Sequence, residues 1–234
     1  SDVIWAYRKF VDGLPEKDRK DCCLIMHTAP VDQHGTDLYK VKEAICPDYD
    51  VRFSTARIDS THLNYLYNLA DVTINIAGNE GFGLTTAESV MAETPIIVNV
   101  TGGMQDQCGF KWNVAPSNMN EQWEYLTADD YKDIGSLHDW RKWKDKVTHG
   151  EWVKPVWSRV QTMTGSVPTP YIIDDKVDVT EVSEAIRYWY DKGKEGREKA
   201  GKAGREAFLG EVGLGVDNQN KCMADGIEKA IKNF

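Results

Sequence analysis

Asn79-Glu80-Gly81-Phe82-Gly83-Leu84-Thr85-Thr86-Ala87-Glu88 is the stretch whose reading decides the fold. The residues before it, Val72 to Ile76, form a β-branched run of strand character, and Leu84 to Ala92 after it carry helical periodicity. A strand that feeds a helix through a glycine-bearing turn is the βα joint of a parallel sheet. Pro95 to Val100 is a further short apolar run, closed by Gly102-Gly103, and reads as the next buried strand.

The alternation extends upstream. Cys22 to Met26 is a short apolar run, His27 to Gly35 a loop, and Leu38, Tyr39, Val41, Lys42 and Ile45 trace a helix that stops at Cys46-Pro47. Val51 to Phe53 supplies another strand, and Leu63, Leu66, Tyr67 and Leu69 another helical stripe. The chain opens on a helix marked by Val3, Ile4, Tyr7, Phe10 and Val11 and ended by Gly13 to Pro15. The expected fold class is therefore α/β, a Rossmann-like parallel sheet with helices on both faces.

Downstream of Gly103 the alternation lapses for about 65 residues, which hold Trp112, Trp123, Trp140, Trp143, Trp152 and Trp157. Residues 104–168 read as an irregular, Trp-rich insertion whose aromatics form a satellite packing cluster, with sugar stacking as the alternative. Helical order returns with Val179, Val182, Ala185, Ile186, Trp189 and Tyr190, and the tail from Glu195 to Phe234 reads as helical, with Gly201 and Gly204 allowing close packing. The 234 residues form one domain in this reading.

Lys and Arg (28) against Asp and Glu (37) leave a net charge of −9, so bulk electrostatic binding of nucleic acid is not expected. Pro95-Ile96-Ile97-Val98 is among the longest apolar runs, far short of the roughly 20 residues that span a bilayer, and a soluble, cytoplasmic chain is the expectation. Cys22, Cys23, Cys46, Cys108 and Cys222 contain no CxxC pair and read as reduced thiols. His27, His34, His62, His138 and His149 show no HxxxH or HExxH spacing, and no metal site is expected. Asp48-Tyr49-Asp50 has the letters of a metal-binding Asp-x-Asp but precedes a strand and reads as a turn.

In the Asn79–Glu88 stretch, the helix start at Leu84 offers unpaired N–H groups and a partial positive charge, suited to a phosphate. Gly81 and Gly83 are expected to turn with positive φ and to admit a ligand close to the backbone. Glu80 precedes the helix and Glu88 lies one turn inside it on the face of Leu84, so both carboxylates can flank one ligand, with sugar or ribose hydroxyls as natural partners. The competing structural reading makes Glu80 and Glu88 ordinary helix-start and solvated acids.

Together with Leu66-Tyr67-Asn68-Leu69-Ala70-Asp71-Val72, Thr94-Pro95-Ile96-Ile97-Val98 and Gly102-Gly103, the Glu80–Glu88 motif resembles the donor-binding, C-terminal half of retaining GT-B glycosyltransferases, and glycosyltransferase family 4 most closely. The resemblance covers residues 1 to about 103. It implies metal-independent, retaining transfer of a hexose-type sugar from a UDP- or GDP-linked donor to an acceptor, with no cofactor. It also implies that Glu80 binds the sugar as the catalytic carboxylate, that the amides around Gly81, Phe82, Gly83, Leu84 and Thr85 hold sugar hydroxyls and the distal phosphate, and that Glu88 holds the ribose diol. By the same resemblance the base lies near Ala56, Arg57 and Ile58.

Two departures accompany it. The acceptor domain of a complete enzyme has no counterpart in these residues, and Ser1 already begins the helix that follows the family's first strand and its Arg/Lys clamp. A non-catalytic nucleotide-sugar-binding module and a GT-B sugar-nucleotide epimerase are the alternatives. A dinucleotide oxidoreductase is disfavoured because no GxGxxG follows Cys22 to Met26, and no P-loop occurs.

Overall fold

The computed structural model describes residues 1–33, 35–113, 123–125, 147–210 and 212–233. His34, His138, Trp140, Trp143, Glu211 and Phe234 lie outside the described residues.

The alternation read from sequence is present. Helices α1 (Asp2–Asp12) and α2 (Glu16–Arg19) lead into β1 (Cys23–His27), and then come α3 (Leu38–Ile45), β2 (Asp50–Ser54), α4 (Ser60–Leu69), β3 (Thr73–Asn75), α5 (Leu84–Met91) and β4 (Ile96–Asn99). The parallel strands fall into two hydrogen-bonded sets. β1 pairs with β2, Cys23 opposite Asp50, and β3 pairs with β4, Thr73 opposite Ile96.

The third strand of the second set comes from the stretch read as an insertion. After α6 (Met104–Gln107), β5 (Lys111–Asn113), β6 (Trp123–Tyr125) and β7 (Val147–Thr148), the chain enters β8 (Val153–Val156), which lies parallel to β4 with Val153 opposite Ile96. Residues 153–156 of the stretch 104–168 thus belong to the parallel sheet and not to an irregular insertion. Pro155 obscures β8 in the sequence, yet β8 closes one side of the order β3-β4-β8, and an outer strand tolerates a proline that a central one does not.

β4 shows why the sheet needs cover on both sides. Ile97 joins the core formed by Ile4, Phe10 and Val11 of α1 with Val182, Ile186 and Trp189 of α7 (Val179–Asp191). Its neighbours Ile96 and Val98 point the other way, into a core with Val90 of α5, Met104, Phe110, Trp152 and Phe208 of α8 (Gly193–Leu209). Each such aliphatic side chain, fully removed from water, contributes about 1.5–3 kcal/mol before chain entropy is counted. Trp152 and Trp157 both pack in the second core, as a packing cluster of aromatics requires. The α8 glycines are contact points: a Cβ on Gly201 would stand 1.7 Å from the Glu93 carbonyl oxygen, and one on Gly204 2.6 Å from Cβ of Trp152.

Between β8 and α7 runs an antiparallel hairpin of β9 (Val160–Ser166) and β10 (Thr169–Lys176). Its base is fastened to the carboxyl edge of β3, β4 and β8. The Asp175 N–H donates to the Gly78 carbonyl at 2.7 Å, and the Asp175 side chain accepts from the Thr101 hydroxyl at 2.7 Å and the Gln161 amide at 3.0 Å. The last helix, α9 (Val216–Lys232), buries none of its residues. All five cysteines are free thiols. Among the described residues no helix is long and apolar enough to cross a membrane.

Candidate functional site

The Asn79–Glu88 stretch joins the carboxyl end of β3 to α5, at the edge where open parallel sheets bind ligands. Gly83 caps α5 in the left-handed region, φ 86°, and a Cβ there would lie 2.8 Å from Cγ of Met104. Gly81 differs from expectation. It does not have positive φ, and a Cβ on it would meet nothing within 4 Å, so one left-handed residue suffices to make the turn.

Gly102 and Gly103 explain themselves here. A Cβ on Gly102 would sit 1.9 Å from the Glu80 carbonyl oxygen and one on Gly103 2.2 Å from that of Gly81, so the loop after β4 touches the turn backbone to backbone. The Gly103 N–H donates to both carbonyls, at 3.1 Å and 3.0 Å. The next two carbonyls are met by a side chain: Nε2 of Gln107, a residue with no exposed surface, donates to the Phe82 oxygen and, at 3.4 Å, to that of Gly83.

The carbonyls of Glu80, Gly81, Phe82 and Gly83 thus all accept from the two ends of α6, Gly103 before it and Gln107 at its close, and the Gly83 carbonyl accepts from Thr86 and Ala87 of α5 as well. In a trans peptide the N–H points opposite to the C=O, so the following N–H groups, of Gly81, Phe82, Gly83 and Leu84, are directed away from α6. Among the described residues, none of these four groups, nor that of Thr85, donates to an acceptor. They form a row of amides at the positive end of a helix, which suits an anion or the hydroxyls of a sugar.

The two carboxylates bracket this row in sequence. Glu80 is half-buried and Glu88 exposed. Oε2 of Glu88 accepts from the Tyr67 hydroxyl at 2.8 Å. Burial, then the hydrogen bond to Glu88, push the Tyr67 phenol well above its ordinary range, so it stays a proton donor at neutral pH; the Thr85 hydroxyl also bonds to it. Tyr67 is held in turn through its backbone carbonyl, which accepts from the buried Thr94 hydroxyl at 2.8 Å. The remaining lone pairs of Glu88 are available to an incoming diol.

Ala56, Arg57 and Ile58 occupy the connection from β2 to α4, at the carboxyl end of β2. Asp48-Tyr49-Asp50 is a turn running into β2: Asp50 bonds to Arg52 at 2.6 Å and the Tyr49 hydroxyl to Asp12. A shallow cavity of about 370 Å³ lies there, lined by residues that include Arg19, Lys20, Asp48 and Asp50, at the amino ends of β1 and β2. It is open and of mixed charge, and the row of amides lies at carboxyl strand ends instead; the amides and carboxylates, not concavity, mark the site.

Sequence reasoning missed Tyr67, Thr94 and Gln107. Tyr67 and Thr94 fall in blocks that carry the resemblance, but nothing in their spacing signals a contact with Glu88 or with each other. Gln107 lies 25 residues from Phe82 along the chain, in the stretch read as an insertion.

The chain is similar over 108 residues to proteins named trehalose synthase. It is 29% identical to those of Thermococcus litoralis and Pyrococcus furiosus and 30% identical to that of Pyrococcus horikoshii, over 45% of this chain. The matched segment spans about a quarter, 26%, of each relative's length. No protein-family profile matches the chain.

Proposed function

We propose that this chain is the donor-binding part of a retaining, metal-independent glycosyltransferase of the GT-B type, and that a nucleoside-diphosphate sugar docks on the Glu80–Glu88 turn. The observation that carries this reading is the row of amides from Gly81 to Thr85 that donate to no acceptor among the described residues, set between Glu80 and the Tyr67-braced Glu88. The partial similarity to proteins named trehalose synthase supports a sugar-processing enzyme, since that name describes the making of a sugar.

In this reading the amides of Phe82, Gly83, Leu84 and Thr85 hold the distal phosphate and sugar hydroxyls, Glu88 accepts from the ribose diol and Glu80 faces the sugar. The base lies towards Ala56, Arg57 and Ile58. When the sugar leaves for its acceptor, negative charge builds on the departing diphosphate. Preorganised amides at the start of α5 stabilise that charge without reorganising, the kind of contribution that dominates many transfer reactions. The acceptor and the surface that presents it belong to the whole protein.

A ligand-detected binding screen of UDP, GDP and ADP, with and without a hexose, tests the reading. Binding of at least one diphosphate, with the sugar adding affinity, is expected. No binding across the panel rejects it. Binding without hydrolysis or transfer, even in the whole protein, favours a non-catalytic nucleotide-sugar module.

A further inference from the structure

Gln107 is fully buried on α6, and its carboxamide is used asymmetrically. Nε2 donates to the carbonyls of Phe82 and Gly83, while Oε1 is buried with no hydrogen-bond partner among the described residues. The opposite amide rotamer would set Oε1 against the Phe82 oxygen, acceptor to acceptor, so those carbonyls dictate the orientation. The backbone of Gln107 is itself clamped: its carbonyl accepts from Nε1 of Trp152 at 3.1 Å, and Trp152 lies so close to Gly109 and Gly150 that a Cβ on either would stand within 2.6 Å of its ring.

A buried amide with one half unsatisfied is a poor device for stability, because an apolar side chain of the same shape avoids the orphaned oxygen. What glutamine supplies here, and methionine cannot, is a donor aimed at two consecutive carbonyls of the turn. We propose that Gln107 is a positioning residue, which orients the Phe82–Gly83 peptide unit so that the Gly83 N–H group faces the donor's phosphate. The Gly83–Leu84 unit is set by α5 itself, whose Thr86 and Ala87 N–H groups donate to the Gly83 carbonyl at 3.0 Å and 3.2 Å. The proposal deepens the donor-site reading and rests on it. Gly83 makes the device necessary: without a Cβ it has access to several backbone conformations, and once released, the peptide before it can rotate and present a carbonyl to the phosphate.

The test compares the unmutated chain with Gln107→Met in calorimetric titrations with UDP, GDP and the corresponding nucleosides, alongside thermal unfolding. Loss of oriented amide bonds to a charged phosphate is expected to weaken diphosphate binding by about tenfold or more. Nucleoside binding, which relies on Glu88 and the base contacts, should stay within about twofold, and the unfolding temperature should hold or rise. A structural role predicts the opposite: lower stability, with nucleoside and diphosphate weakened alike.

Equal diphosphate affinity in the two proteins overturns this inference while leaving the donor site standing. Absence of diphosphate binding by the unmutated chain overturns both. If Gln107→Met does not fold, the amide resonances of the unmutated chain decide. On addition of UDP the Gly83 N–H signal and the Gln107 side-chain NH₂ are expected to shift together, and unmoved signals overturn the proposal.

Discussion

α4 and α5 both begin after the carboxyl end of a parallel strand, and they begin differently. α4 starts at Asp59, whose carboxylate accepts the His62 N–H at 2.9 Å. α3 and α7 do the same with Asp37 on Lys40 and Asp178 on Thr180. α5 starts at Gly83, which has no side chain to offer, and the carbonyls before it are drawn back onto Gly103 and Gln107. The positive end of α4 is therefore answered from within the chain, whereas the first N–H groups of α5 meet no acceptor among the described residues. An unfilled helix start matters where neighbouring structure keeps it unfilled.

The largest expected effect comes from breaking the contact that holds the α5 turn. Gly102→Ala forces a Cβ onto the Glu80 oxygen and places alanine at φ 49°, and it should destabilise the fold by about 2–5 kcal/mol and abolish diphosphate binding. A denaturant midpoint matching the unmutated chain would show that the two loops do not touch.

Next comes the carboxylate proposed to meet the ligand. Glu88→Ala should weaken nucleoside diphosphates and their sugars alike, by about 1.5–3 kcal/mol for each charge-assisted hydrogen bond lost. Glu80→Ala should spare the bare diphosphate and penalise only the sugar-bearing donor. Titrations in which both variants match the unmutated chain would return these residues to the role of solvated acids.

Asp59→Ala tests the filled side of the comparison. It removes the cap of α4, so thermal unfolding should come earlier while diphosphate affinity stays unchanged, and weakened binding would place the α4 start inside the site. The backbone bond from His62 holds the Asp59 carboxyl below its ordinary range. Its stabilising share is therefore complete above the unfolded carboxylate pKa of about 3.9 and is lost as pH falls through the lower folded value; acid unfolding of Asp59→Ala should lack that component. The smallest effect belongs to Gly81→Ala, where the added methyl meets open space: a stability change below about 0.5 kcal/mol is expected, and a larger one would reveal strain in the turn.

Most of the sheet was legible in the sequence because its cues are local. Thr73–Asn75 and Ile96–Asn99 lie inside the runs read as strands, and Leu84–Met91 inside the run read as a helix, since β-branched clusters and helical periodicity act over a few residues. The hairpin β9–β10 was not legible: Gly165, Pro168 and Pro170 interrupt its pattern, and its base is set by Asp175 meeting Gly78 and Thr101, far away in the chain.

By itself the sequence determined the alternating α/β order, the glycine turn at a strand's carboxyl end and the two glutamates within one turn and helix of each other. Tertiary structure alone decided which way the peptides of that turn face, that Gly102 and Gly103 are needed for backbone contact, that Tyr67 braces Glu88, and that Val153–Val156 completes the sheet. The division has a physical reason. Backbone conformation follows from side-chain branching and the freedom of single residues, whereas the direction of an amide depends on what accepts or donates across space. Gln107 and Phe82 are 25 residues apart and meet only because β4, α6 and the Trp152 clamp bring them together.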